Sequence, residues 1–476
     1  MGNNSGKYKY LAKNVVVLTI AQFGSKILSF LLVPLYTSVL TTKEYGINDL
    51  FSTTVTLLIP FLTLNIVDSA IRFSIDKETD NKKVFSIALS YLIKGTVILA
   101  FLLILNGILN IFEVVNKYWV FFGLYFVTSA FSAVVSGFAR GINHVTDVAV
   151  SGVICSLVLI LSNIVLLIPF HMGLTGYFIA GCLGPSVQIL YLFIRIRLWR
   201  YISIKKTDKK LKKEMVNYSK PMIANAVAWW INSASDRYIV TWICGVAVNG
   251  IYSIGYKIPT ILSIFTNIFN QAWILSAVND FDPEDKSGFF SNMYNLYNFA
   301  ATVFCSLLIV FSRIIAYFLY VKEFFMAWKY VPFLLVAFVF SSLSGYIGGV
   351  FSAVKDSKIF SRSTVIGATI NIVLNFSLIY LIGPVGAAIA TLVSYFVIWL
   401  VRIINSRKYI KIQFHIIRDF IGYGLLLVQA SLLFLIQKEI PTLYIAECVI
   451  FVIIISLFRK ELIHGYNVLK EKLKNN

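Results

Sequence analysis

Charge is what this chain has least of. Only 13% of its 476 residues are Asp, Glu, Lys or Arg, where a soluble domain carries about a quarter. Acidic residues are scarcer still, 22 against 42 basic ones. The five cysteines, Cys155, Cys182, Cys244, Cys305 and Cys448, are scattered and form no CxxC pair, so they give no disulfide framework and no metal site. No P-loop, GxGxxG or nucleophile constellation occurs, which argues against nucleotide hydrolysis by this chain. A lone DxD, Asp280 and Asp282, lies in the acidic connection VNDFDPEDKSG with no nucleotide fold around it. A secretory signal is not expected, because the start MGNNSGKYKYLAK is polar and basic and the first apolar run is too long. The start also lacks the Ser or Thr at position six of a myristoylation signal.

Apolar residues fill the space that charge leaves. They make up 58% of the chain, with a mean hydropathy of +0.80. Runs of about 20 apolar residues recur, each long enough to cross roughly 30 Å of hydrocarbon. The expected class is an all-α polytopic membrane protein with about fourteen spans: 14–40, 47–71, 84–111, 118–139, 148–170, 174–194, 221–243, 250–278, 294–320, 330–354, 363–382, 384–401, 419–437 and 441–458. With the N-terminus inside, the outside loops hold only Lys43, Lys117, Lys322, Lys329 and Lys438, and nearly all other basic residues fall in inside connections. That asymmetry satisfies the positive-inside rule and puts both termini in the cytoplasm. The net charge of +20 therefore reads as orientation and contact with anionic lipid, with no nucleic-acid partner.

The chain repeats itself at an offset of about 210 residues. GFARGINHVTDVAVSGVI (137–154) answers GVFSAVKDSKIFSRSTVI (349–366), GLTGYFIA (173–180) answers GPVGAAIA (383–390), and Asn163 and Asn375 precede the second pair. The expected organisation is an N-lobe of helices 1–6 (1–200), a basic cytoplasmic linker (201–220), a C-lobe of helices 7–12 (221–410), and a C-terminal helix pair with a basic tail (411–476). Six helices return the chain to its starting side, so the repeat is parallel, and a substrate site is expected between the lobes near the midplane.

Basic side chains stand where hydrocarbon should exclude them: Lys26, Arg72, Lys94, Arg237, Lys257 and Arg313. A charge at membrane depth is costly unless it meets protein, water or an anion. Lys26 lies mid-span with Gln22 and Ser29 a turn to either side, which makes one polar face. Asp68 and Arg72 are four apart and can pair on one helix face. That reading competes evenly with a role for Arg72 at a substrate anion. Asp236 and Arg237 are neighbours and point about 100° apart, so one faces a cavity and the other a helix. Lys257 precedes Pro259, which can open the helix. Lys94 and Arg313 lie near span ends and are explained by snorkelling. Arg140, His144 and Asp147 form an inside turn, matched in the second half by Lys355, Asp356 and Lys358. They cap helices, or Arg140, Asp147, Lys355 and Asp356 close a cytoplasmic gate.

NVVVLTIAQFGSKILSFLLVPLYTSVLTTKEYGINDLFS, NIVDSAIRF and SDRYIVTWICGVAVNGIYSIGYKIPTIL together resemble the Wzx-type polysaccharide biosynthesis flippases of the multidrug/oligosaccharidyl-lipid/polysaccharide exporter superfamily. The resemblance covers roughly residues 10–410. It implies two six-helix lobes around a V-shaped cavity that opens alternately to each side of the bacterial cytoplasmic membrane. It implies as substrate an oligosaccharide on undecaprenyl diphosphate, moved outward. It implies that Lys26, Arg72, Arg237 and Lys257, with Gln22, hold the diphosphate. Fourteen spans depart from the usual twelve and match the peptidoglycan-precursor flippases of the superfamily, whose extra pair shapes a lipid groove. No cofactor is expected. Coupling, if ionic, uses H+ or Na+ at Asp68 or Asp236, and other polysaccharide-assembly membrane proteins are natural partners. The rival within the superfamily is a cation-coupled drug exporter. The rival from another class is a polysaccharide polymerase or glycosyltransferase, which the short outside loops disfavour.

Overall fold

A computed structural model describes residues 30–76, 78–203, 208–354, 356–438 and 441–463, apart from the side chains of 268, 271, 272, 275, 279 and 357. All regular structure among them is helical. Among the described residues nine helices are long and apolar enough to cross a membrane, ten if one bent pair counts as a single span. The expected span 14–40 falls largely outside the described residues. The chain divides into two compact units, 1–230 and 231–476.

In the first unit, α1 (Val33–Val39) leads into α2 (Thr42–Leu62) and α3 (Ile66–Ile75). α4 (Asn81–Leu109), α5 (Glu113–Lys117) and α6 (Trp119–Gly141) follow, then the hairpin of α7 (Val145–Leu167) and α8 (Gly173–Arg195). Thr41 and Glu44 start α2 with a reciprocal capping box, which satisfies two amide groups that have no partner within the helix. The uninterrupted second span, 47–71, needs correction. Leu64 and Asn65 take left-handed backbone, φ 53° and 50°, and α2 and α3 meet at a 59° bend. Asn tolerates that conformation better than most residues. The core of the unit is aromatic: the Phe51 ring lies 5.0 Å from Phe122 and 5.2 Å from Phe178.

The GFARG repeat segment has a packing reason. A Cβ on Gly141 would sit 2.6 Å from Ser74 Cβ and 2.9 Å from the Ile71 carbonyl, and one on Gly137 2.9 Å from Val67 Cγ1. Two glycines one turn apart let α6 lie directly on α3. Gly141→Ala should therefore lower stability by about 1–3 kcal/mol. Gly107→Ala on α4 meets nothing within 4 Å and should be neutral or slightly stabilising by helix propensity. Thermal unfolding of the two variants in detergent checks the contrast.

α9 (Lys209–Cys244) contains the boundary between the units. Part of the expected linker is thus helix, since residues 209–220 run without a break into the seventh span. The second unit continues with α10 (Val246–Gly255), α11 (Lys257–Asn279), α12 (Phe289–Leu319) and α13 (Val331–Ala353). α14 (Ser357–Ile382), α15 (Pro384–Ser406), α16 (Ile416–Leu435) and α17 (Pro441–Leu457) complete it. The expected eighth span, 250–278, is two helices that meet at Tyr256. Pro259 occupies the first turn of α11, where its missing N–H has no helical partner to lose. α13 is buried over most of its surface. Trp273 stacks on Tyr346 at 4.1 Å and donates to its carbonyl at 2.8 Å.

The repeat is visible within each unit. Asn163 and Asn375 are both fully buried, and each side chain donates to the carbonyl four residues back, at 2.7 and 2.8 Å. His144 and Asp356, 212 residues apart, are the N-cap residues of α7 and α14.

Candidate substrate site

The most polar span positions the strongest candidate group. On α9, Asn232 donates to the Thr364 carbonyl of α14 at 3.1 Å, and Ser235 donates to Asn371 at 3.3 Å. These bonds fix the rotation of the helix and turn Asp236 inward, where it is 2% exposed. Its carboxylate accepts hydrogen bonds from the Tyr252 hydroxyl at 2.7 Å and the Tyr256 hydroxyl at 2.5 Å. The two phenols are four residues apart across the end of α10, so they share a face. Tyr395 of α15 lies within electrostatic reach. The Arg237 guanidinium stands 5.1 Å over the Tyr256 ring. Lys257, half-buried, opens α11 one residue after that ring. One tyrosine thus joins the acid, the arginine and the start of the next helix.

In the first unit the candidates are arranged differently from expectation. Among the described residues no ion pair joins Asp68 to Arg72. Asp68 accepts from the Asn65 side chain at 2.6 Å, because the bend puts it in the first turn of α3, three residues past the cap. Arg140, at the end of α6, feels its field, and Arg72 is exposed. Lys26 and Gln22 lie outside the described residues.

The gate candidates make other contacts. Asp147 pairs with His144 at 2.7 Å and Arg195 at 3.1 Å, while Arg140 donates weakly to the Ser136 carbonyl at 3.4 Å. Asp356 caps α14 by accepting from the backbone of Lys358 and Ile359, and it accepts from the Tyr409 hydroxyl at 2.6 Å. That phenol, followed by the backbone N–H groups, holds the Asp356 carboxyl below its ordinary range, and the same bond raises the Tyr409 phenol. Lys355 lies outside the described residues.

Two cationic groups sit otherwise than the sequence implied. Arg313 is 8% exposed, so it does not snorkel. It donates to the Gln437 carbonyl at 2.8 Å and stacks over Trp328 at 4.7 Å. Arg402, assigned to an inside connection, lies within α15, which runs five residues beyond the expected end of that span. It is 5% exposed. Tyr252 and Tyr256 were also missed. The signal was there, a Tyr pair four apart beside a polar span in GIYSIGYK, but only the fold brings it to Asp236. Lys94 is exposed, 5.0 Å over the Tyr91 ring.

Comparison with known proteins agrees with this architecture. The family model described as polysaccharide biosynthesis protein matches residues 11–274. A membrane protein of Methanocaldococcus jannaschii named "Uncharacterized membrane protein MJ1068" is 24% identical over 60% of this chain and 60% of its own length. The "Probable low-salt glycan biosynthesis flippase Agl15" of Haloferax volcanii is 26% identical over 44% of this chain and 46% of its own. The matches thus span less than two thirds of either relative. The lipid II flippase MurJ, in an inward closed conformation, superposes with a TM-score of 0.69 at 15% identity, covering 95% of this chain and 99% of MurJ. An inward-facing multidrug MATE transporter of the MOP superfamily gives 0.68 at 13% identity, over 82% and 97%. The two structures establish the fold, and the family match covers more than half the chain. This multi-pass membrane protein belongs to the polysaccharide biosynthesis protein family.

Proposed function

We propose that this protein is a flippase that carries an undecaprenyl-diphosphate-linked oligosaccharide from the inner to the outer leaflet of a bacterial cytoplasmic membrane by alternating access, with both termini cytoplasmic. The observation that carries the reading is Arg237, a cation on the expected seventh span beside the Asp236, Tyr252 and Tyr256 cluster, in a chain of this family. A diphosphate brings about two negative charges, and a hydrated glycan cannot dissolve in hydrocarbon. Basic groups at depth offer the diphosphate charge-assisted hydrogen bonds in place of water. Arg237 and Lys257, with Arg72, Lys26 and Gln22, form the diphosphate-binding set. Asp236 orders Tyr256, on which Arg237 rests. The similarity to proteins named as flippases supports the choice of cargo. A membrane potential negative inside already drives an anion outward, by about 2.3 kcal/mol per charge per 100 mV. Exchange of H+ or Na+ at Asp68 or Asp236 is the other source of energy.

The test is reconstitution of the purified protein in liposomes loaded with a lipid-linked glycan, reading how much becomes accessible to a glycan-modifying enzyme on the opposite side. Protein-dependent transfer is the expected result. Transport of a cationic dye without glycan transfer would replace this reading with the multidrug exporter.

A further inference from the structure

α17, PTLYIAECVIFVIIISL, is apolar along nearly its whole length and carries one acidic residue, Glu447. That residue is 0% exposed, and among the described residues neither carboxyl oxygen makes a hydrogen bond of good geometry, the Gln429 side chain being the polar group beside it. α17 packs on α12 and α16. α12 presents Ser306 on this side, and α16 presents Gln429. Ser306 donates to Gln429 Oε1 at 2.7 Å, and Gln429 Nε2 donates to the backbone carbonyl of Glu447 at 3.2 Å. The polar neighbours are thus engaged with each other and with the main chain of Glu447.

Among the described residues no charged group balances it. The charge-bearing groups on the packed elements are Arg313 on α12 and Arg418 and Asp419 on α16, with Arg459, Lys460 and Glu461 beyond α17. Arg418 is eleven residues from Gln429, about 16 Å along the helix, and Arg313 is seven from Ser306, about 10 Å. Arg418 is already paired with Asp419 and Glu461. The other titratable groups on these helices are the phenols of Tyr294, Tyr297, Tyr317, Tyr423 and Tyr444 and the thiols of Cys305 and Cys448, and no charge among them acts on Glu447. A bare carboxylate in such surroundings is too costly to persist and is neutralised. Among the described residues no group of three or more His, Cys, Asp or Glu side chains could hold a metal ion, and a proton needs none.

A polar line leads to it. Asn295, Asn298, Thr302 and Ser306 share one face of α12. Arg418 donates to Asn295 at 2.8 Å, Tyr423 to Asn298 at 3.0 Å and Thr302 to Asn298 at 3.2 Å. The stripe connects the ion-paired end of the C-terminal pair with the depth of Glu447.

We propose that Glu447 is a proton-binding site within the C-terminal helix pair, neutral while α17 is packed on α12 and α16 and ionised only when water or a counter-charge reaches it. The site does not depend on what the protein carries. The test is infrared spectroscopy of the full-length protein in lipid nanodiscs. At about pH 7, where ordinary carboxyls are ionised, wild type should show a neutral-carboxyl band that shifts with deuterium and with 13C-labelled glutamate. Glu447→Gln, of the same shape, should lose it completely. The isotope shift assigns the band to glutamate without a variant, so its absence decides against the proposal even if the substitution prevents folding, and Glu447→Leu, suited to an apolar helix, then replaces E447Q in assigning the band to this residue. No glutamate-sensitive neutral-carboxyl band, a band that survives in E447Q, or one that disappears when Na+ replaces K+ would each overturn the proposal.

Discussion

Arg237→Ala should slow outward transfer of lipid-linked glycan about tenfold to a hundredfold, and Arg237→Lys should recover only part of the loss. A hydrogen bond to a charged group contributes about 1.5–3 kcal/mol, and each 1.36 kcal/mol in a barrier is about a factor of ten in rate. Arg237 rests on the Tyr256 ring, a stacking contact that adds about 0.5–1 kcal/mol when partly exposed and fixes the planar guanidinium. Lysine keeps the charge but neither the stacking nor the two-pronged fit to phosphate. Transfer is measured in the liposome assay and normalised to folded protein eluting as a single species. A wild-type rate for the alanine variant would remove Arg237 from the binding set and leave the anion argument to Lys257 and Arg72.

Arg402→Ala should destabilise the second unit by about 3 kcal/mol. Arg402 ties three helices together. From α15 it donates to the Ser344 carbonyl of α13 at 2.8 Å, and to the hydroxyls of Ser363 and Thr364 on α14 at 3.0 and 3.1 Å. Its guanidinium lies 4.0 Å over the Phe360 ring. Truncation removes three charge-assisted bonds and leaves a cavity beneath that ring. For a domain of this size the midpoint of thermal unfolding falls by about 2–4 °C per kcal/mol, which gives roughly 6–12 °C. Arg402→Met should cost less. It fills the volume and takes no charge into the core, and among the described residues Arg402 has no carboxylate partner to abandon. The measurement is the unfolding midpoint in detergent. An alanine variant that melts with wild type would mean that packing alone holds α13, α14 and α15 together.

Arg402 and Glu447 show what reading along the chain misses. Both sit next to or inside apolar runs. At a span end a basic residue reads as an orientation signal, and one glutamate in a long apolar helix leaves the hydropathy of that helix almost unchanged. Arg402 becomes a core residue because α15 extends to Ser406, and Glu447 because α12 and α16 cover it. The Asp68 and Arg72 spacing allowed either an ion pair or an anion-facing Arg72, and among the described residues Asp68 is engaged by the Asn65 side chain at the start of their shared helix and no ion pair joins it to Arg72. The neighbouring Asp236 and Arg237 both reach Tyr256, the acid at its hydroxyl and the arginine over its ring, a meeting that spacing along one helix does not reveal.

Sequence by itself determined the class: an all-α membrane protein with an internal repeat and a family assignment resting on an ordered set of segments. Those properties are local or additive, because hydropathy, the charge of connections and spacing at a fixed offset do not depend on which helix touches which. Only the tertiary structure decided where helices break, which polar groups meet and which charges lack a counterpart. Each of these depends on distances between residues that lie far apart in the chain, and burial changes the cost of a charge by far more than any local preference.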